Sequence, residues 1–288
     1  MKYIAYILFN DFKSIFKFNI LMKYLKYRVK YPYLSLSTSV QIGNNVTLEE
    51  NIGIGMDSVI SGNIIIGRNT TINNSCKVFG NVSIGDNCLF SNNIFISSGT
   101  HIYDYIPELC IKEQDLITSV DNKIIIEDDC WLGMNVVVLP GVKIGKGSII
   151  GANCVVTKNV EPYNIVAGVP GNVINKRLTF IPPSSLEYNN IKCLPYFYKG
   201  FHLREYEKNK FKVYDGYLTK EQFTICIKHK NEITIECRKY KENATLVYKE
   251  NIIDINSESF NVVILKVTEV SDFINIYVSN RIVIKRIF

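Results

Sequence analysis

Residues 124–174, IIIEDDCWLGMNVVVLPGVKIGKGSIIGANCVVTKNVEPYNIVAGVPGNVI, decide the fold. An apolar residue recurs every six positions: Ile126, Leu132, Val138, Ile144, Ile150 and Val156. Four places after each stands a small or β-branched residue: Cys130, Val136, Val142, Ser148, Cys154 and Val160. A period of six fits neither a helix at 3.6 nor a half-buried strand at 2. It fits a chain wound as a parallel β-helix, with the first and fifth residues of each six turned inward.

The same register runs upstream through Ile42, Leu48, Ile54, Ile60, Ile66, Ile72, Val78, Ile84, Phe90, Ile96 and Ile102. Between Ile102 and Ile126 lie four sixes where one would serve, which predicts 18 extra residues. Solenoids accept insertions only at corners. A projecting loop over 103–123 is therefore expected, with His101 at its root. At three sixes per coil, 41–102 supplies about three and a half coils and 124–166 more than two.

Outward from the repeat, the chain divides by character. Residues 1–30 carry seven of the 33 basic side chains and one of the 27 acids, leaving 26 of each elsewhere. The excess charge thus belongs to the N-terminal segment, which argues against a nucleic-acid surface on the main body. Ile4, Ile7, Leu8, Phe12, Ile15 and Phe18 share one helical face opposite Lys2, Lys13 and Lys17. A basic amphipathic helical segment over 1–40 is expected, either packing on protein or touching an anionic inner membrane surface. Pro32 ends the helix.

Beyond Ile174 the six-residue pattern stops, and Pro182-Pro183-Ser184-Ser185 marks a linker over 176–195. Residues 196–288 hold short β-rich runs such as QFTICIKH, EITIECRKY and NVVILKVTEV, separated by polar turns. These predict an antiparallel β-sandwich-like accessory domain. The expected class is mainly β.

The eight cysteines form no CxxC pair, and Cys76, Cys88, Cys130 and Cys154 all fall at the fifth place. They are expected to be core residues in a reducing, cytoplasmic setting, with no zinc site. The apolar run Tyr3–Phe9 lacks a signal-type cleavage site, and no stretch reaches the ~18 apolar residues of a span. Only three histidines occur, His101, His202 and His229, and one of them lies on the solenoid. A three-histidine metal centre on the repeats is thus excluded, and no metal is expected. An imidazole near neutral pH suits removal of a proton from an alcohol.

Residues 81–101 and 124–170, with Cys130-Trp131-Leu132-Gly133, Leu139-Pro140-Gly141-Val142, Val156-Thr157-Lys158 and Ala167-Gly168-Val169-Pro170, resemble the hexapeptide-repeat acetyltransferases of galactosides, maltose and nodulation sugars. The resemblance implies a left-handed coil, a homotrimer with sites between subunits, and acetyl-CoA as acyl donor. It implies O-acetylation of a cell-surface polysaccharide or its sugar precursor, with His101 as general base. Asp104 is a candidate to orient the imidazole, and Trp131 to border the acceptor. Gly133, Met134, Ala152, Thr157 and Lys158 would line the pantetheine groove. Met134 stands where relatives often carry Ser, and Lys176 or Arg177 would replace an Arg that reaches the nucleotide phosphates. Alternatives are a small acceptor (an antibiotic, serine or a nucleotide-sugar amine) and a non-catalytic scaffold. Residues 200–219 bear a weaker resemblance to β-sandwich modules appended to bacterial polysaccharide enzymes.

Overall fold

The structure, a computed structural model, describes residues 22, 29, 35–37, 39–101, 106–114, 122–202, 205–207, 210–212, 217–228, 232–267 and 273–288. Met22 and Val29 are helical, and the rest of the expected N-terminal helix lies outside the described residues. The chain forms two compact units that divide after Thr179.

The first unit is a β-solenoid. One side is a sheet of seven parallel rungs, from Ser35–Leu36 through Leu89–Phe90, Trp131–Leu132 and Ile149–Ile150 to Asn164–Ala167. We call this face one. Face two carries Gln41–Ile42, 59–60, 77–78, Phe95–Ser97, Val137–Val138 and Val155–Val156. Face three carries Val46–Leu48, 64–66, 82–84, Ile124–Ile126 and Lys143–Ile144. Rungs stack at an offset of 18 residues, as in Ile42↔Ile60, Ile60↔Val78 and Val78↔Ile96. Every first-position residue from Ile42 to Ile96 and from Ile126 to Val156 is buried.

The fifth position has a specific reason to be small and to carry a hydroxyl or thiol. Ser58 Oγ donates to Asn73 O at 3.0 Å, Thr70 Oγ1 to Gly85 O at 2.8 Å and Ser148 Oγ to Glu161 O at 3.0 Å. Cysteine does the same: Cys76 Sγ reaches Ser91 O at 3.2 Å, and Cys130 Sγ reaches Gly145 O at 3.3 Å. Each inward side chain thereby satisfies a corner carbonyl of the next coil that no rung engages. Burial pushes the thiols of Cys76 and Cys154 above their ordinary pKa; that of Cys130 is held well above it, first by its hydrogen bond with Cys88 and then by burial. Burial sends Cys237, in the second unit, up to about 12. Since reactivity belongs to the thiolate, a thiol reagent at neutral pH should titrate one group in the native protein, Cys110, and all eight after unfolding. Two or more fast-reacting thiols in the folded state would contradict this packing.

The corners are equally regular. Asn51, Asn69, Asn87 and Asp129 adopt positive φ at one corner, and Asp57, Ser75, Asn93, Asn135 and Asn153 at another. Left-handed backbone favours Asn and Asp among side-chain-bearing residues. Their amides also stack, with Asn51 Nδ2 donating to Asn69 Oδ1 at 2.8 Å and Asn135 Nδ2 to Asn153 Oδ1 at 2.9 Å.

Two departures from the expected register appear. Ile126 pairs with Ile84, so the offset there is 42 residues (as in Asp86 N to Asp128 Oδ1) against the usual 18. The added stretch is therefore 24 residues long, not 18, because Ile126 fills the slot that six-residue counting gives to Ile102. The last coil is two residues short: Val160 lies beside Ile144, and Ile165 beside Ile149. Pro162, which has no N–H to give a rung, occupies that shortened corner. The strand Asn172–Lys176 then turns back antiparallel to Asn164–Ala167 and ends face one.

The second unit begins earlier than expected. Residues 176–195 are not a free linker, because Leu186–Glu187 pairs antiparallel with Arg286 and Ile287. Leu186 and Cys193 are buried in the second core, beside Phe197, Phe223 and Ile235. Its strands form one antiparallel sheet, in the order Asn251–Ile255, Ala244–Tyr248, Phe273–Val278, Tyr217–Cys226, Ile282–Ile287, Glu232–Lys239, Asn261–Lys266. The two edges approach each other, so this sheet rolls around its core. Glu236 is the buried charge here; its carboxylate accepts from Lys285 Nζ at 3.1 Å and from Arg286 Nε.

Candidate active site

The insertion departs from the corner between faces two and three. One coil below, the strand Lys77–Ile84 runs unbroken through this corner, paired with Val59–Ile66 along its whole length. Above it, the rungs stop at Phe79↔Ser97 and resume at Val82↔Ile124. His101 stands in that gap, exposed, at the start of the added stretch. The returning chain is fastened by Gly141 N donating to Asn122 O at 3.0 Å. Within the insertion, Ile111–Gln114 forms one helical turn. Gln114 is buried: its Nε2 donates to Leu109 O at 2.9 Å, and its Oε1 accepts from Ile106 N at 3.1 Å. Asp104 lies outside the described residues.

The other nominated residues occupy different corners. Thr157 and Lys158 are exposed at the same corner as His101, on a later coil. Gly133, Met134 and Ala152 lie at the corner between faces one and two, where Asn153 N donates to Met134 O at 2.8 Å. A Cβ on Gly133 would stand 2.6 Å from Ala152 N, so the close approach of these coils requires glycine. Met134 and Ala152 are exposed there. Trp131 projects from face one, 48% exposed, between Leu89 and Ile149 of the neighbouring rungs. A single solenoid therefore does not gather these groups, since a six-residue side of the coil separates the two corners.

Lys176 and Arg177 part company. Lys176 ends the antiparallel strand beside Asn164, exposed. Arg177 instead turns back to the corner between faces three and one. Its Nη1 lies 2.9 Å from Asp129 Oδ2 and 3.1 Å from Gly147 O. That guanidinium holds the exit of the chain against the last coils. Sequence reading missed this pairing because Asp129 and Arg177 are 48 residues apart. The same corner holds Lys146, half-buried; burial pulls its pKa down, against the carboxylates of Asp128, Asp129 and Glu127. The spacing of Glu127-Asp128-Asp129 from Lys146, near one coil, was the available signal. Among the described residues no three His, Cys, Asp or Glu side chains converge as a metal site would.

Comparison with known proteins bears directly on the two halves of the repeat. Residues 63–98 match the hexapeptide repeat of succinyl-transferase, and 123–158 match the bacterial transferase hexapeptide of six repeats. The solenoid is a hexapeptide-repeat domain. The two matches leave out 99–122, the stretch that the rung register marks as added. Chloramphenicol acetyltransferase of Klebsiella aerogenes is 38% identical over 96 residues, 30% of this chain and 46% of that protein. A probable macrolide acetyltransferase of Lysinibacillus sphaericus is 51% identical over 55 residues, 19% of this chain and 31% of that protein. The chain thus spans less than half the length of these relatives. Among solved structures, an N-acyltransferase from Bacillus cereus in complex with dTDP and 3-hydroxybutyryl-CoA is 19% identical, with a TM-score of 0.47 over 55% of this chain and 88% of that one. A maltose O-acetyltransferase from Clostridium difficile is 24% identical, with a TM-score of 0.36 over 51% and 72%. The hexapeptide-repeat domain shares with its curated relatives mainly coils, while its second unit lies beyond both repeat matches.

Proposed function

We propose that this chain transfers an acetyl group from acetyl-CoA to a hydroxyl of a cell-surface polysaccharide or its sugar precursor. The observation that supports it most is the placement of His101. This residue opens the 24-residue break in an otherwise regular register, between two transferase-type repeat segments. In the proposed step the imidazole takes the proton of the acceptor hydroxyl. The oxygen attacks the thioester carbonyl, a C–O bond forms, and the C–S bond breaks. The CoA thiolate leaves and recovers the proton from the imidazolium, so the base is regenerated.

Donor binding is assigned to the corner of Gly133, Met134 and Ala152, with Thr157 and Lys158 on the adjoining face. There the absence of bulk lets an extended pantetheine lie against the backbone. With Arg177 engaged by Asp129, Lys176 is the better placed cation for the nucleotide phosphates. Because His101 and Gly133 sit at different corners, the site is proposed to form between side-by-side solenoids of a homotrimer. One subunit supplies the histidine and its neighbour the donor groove. Mixed assemblies of His101→Ala and Gly133→Val subunits, each inactive alone, should then recover a fraction of wild-type turnover. No recovery in folded mixed trimers would place the whole site within one chain.

The similarity to chloramphenicol and macrolide acetyltransferases favours a second reading, a small hydroxylic acceptor. Thioester consumption measured against a panel of oligosaccharides, nucleotide sugars and hydroxylic antibiotics separates the two. Turnover confined to antibiotics would replace the polysaccharide reading. CoA release with no acceptor in the panel would leave the scaffold reading in its place. No helix among the described residues is long and apolar enough to cross a membrane.

A further inference from the structure

The point at which the insertion leaves the coil creates a hydrogen-bonding problem. In the coil below, Gly62 and Asn63 stack on Gly80 and Asn81 as successive rungs. In the coil above, the residues that would stack on Gly80 and Asn81 are diverted into the insertion. A backbone N–H without a partner at such a place is costly. Ser98 supplies the substitute: its Oγ accepts from Asn81 N at 2.7 Å, while its own N–H donates to Phe79 O at 3.2 Å. Ser98 is buried, 5% exposed, and fits only because the residue beneath it is glycine. A Cβ on Gly80, whose φ is +87°, would fall 2.1 Å from Ser98 Oγ.

We infer that Ser98 is a positioning residue, whose hydroxyl fixes the direction in which the chain leaves the solenoid and so aims His101 three residues later. The inference rests on the acyl-transfer reading and concerns how that reading is carried out by the backbone. Ser98 touches neither donor nor acceptor; it acts through the geometry of the segment it starts. A displacement of about 1 Å at a reacting group lowers rates by up to about 100-fold, so a hydroxyl that sets the exit angle has leverage on turnover.

The test compares Ser98→Ala and Ser98→Thr with the wild-type chain in two independent measurements. Amide hydrogen exchange of Asn81 should quicken at least about 10-fold in Ser98→Ala and return towards the wild-type rate in Ser98→Thr, which keeps a hydroxyl. Steady-state acetyl transfer should show kcat lowered about 10- to 100-fold in Ser98→Ala, with KM for acetyl-CoA unchanged, because the donor corner is elsewhere. Faster exchange with an unchanged kcat would overturn the positioning role and leave a purely structural bond. Unchanged exchange would overturn the bond itself. A rise in KM with kcat preserved would move Ser98 to donor binding and equally defeat the inference. Failure of the acyl-transfer reading looks different: wild-type turnover would be absent or indifferent to His101→Ala, whereas the exchange result at Asn81 would stand.

Discussion

Replacing His101 with alanine should leave a folded solenoid that turns over acetyl-CoA and acceptor about 10²–10⁴ times more slowly, the usual contribution of a positioned general base. The fold should survive because His101 is exposed, and the first-position residues around it, Ile96 and Ile126, are buried without its help. Loss should appear in kcat, with KM for acetyl-CoA little changed, since the base is proposed to act on the acceptor proton. His101→Gln, which keeps the size and a hydrogen-bonding end but cannot take a proton at neutral pH, should be nearly as slow. Equal turnover by wild type and His101→Ala would remove the base, and with it the proposed mechanism. Secondary structure by circular dichroism and the assembly size by light scattering establish that the variant is intact.

Phe90→Ala should have the largest effect on stability. Phe90 is the one aromatic side chain at a first position, wholly buried, with Ile72 on the rung below and Leu132 above. Emptying that site costs about 3–5 kcal/mol, because the lost transfer free energy is joined by a cavity that the coil cannot close. Each coil is fixed by rungs on both sides at an 18-residue offset, which leaves little freedom to collapse inward. At an m-value of about 2 kcal/mol/M the urea midpoint of the solenoid should drop by about 2 M. Phe90→Leu, closer in volume, should cost less than about 1.5 kcal/mol. A loss below about 1 kcal/mol for the alanine variant would show that Phe90 does not fill the interior as described.

The solenoid was legible in the sequence because its interior imposes a strict rule. One first-position and one fifth-position residue enter per side, so Ile60, Ile72, Val78 and Cys76 could be called buried from their spacing alone. What escaped were places where the count itself changes. Ile102 continues the six-residue rhythm by its apolar character, yet Ile126 takes the slot beside Ile84. Val160 likewise fits the fifth position by residue type and instead stacks on Ile144, in a corner shortened around Pro162. Apolarity alone cannot mark where a rung begins. The second unit has no comparable rhythm. Leu186 and Cys193 lie in a stretch rich in proline, serine and asparagine, and only pairing with distant Ile287 turns that stretch into part of a core. Of the candidate site, His101 was legible from its place beside the break. The separation of the donor residues from it by one side of the coil was not, because that follows from which face each residue occupies.

The 18-residue spacing between stacked rungs also governs how such a gene can change length. A coil-sized duplication or deletion keeps every inward side chain inward and every hydroxyl or thiol opposite a carbonyl. A change of one or two residues on a flat side rotates all later side chains out of place. Corners escape this rule, as the 24 residues before Ile126 show. Novelty in this architecture accordingly arrives in two currencies, whole coils that extend the rod and corner additions of arbitrary size that equip it.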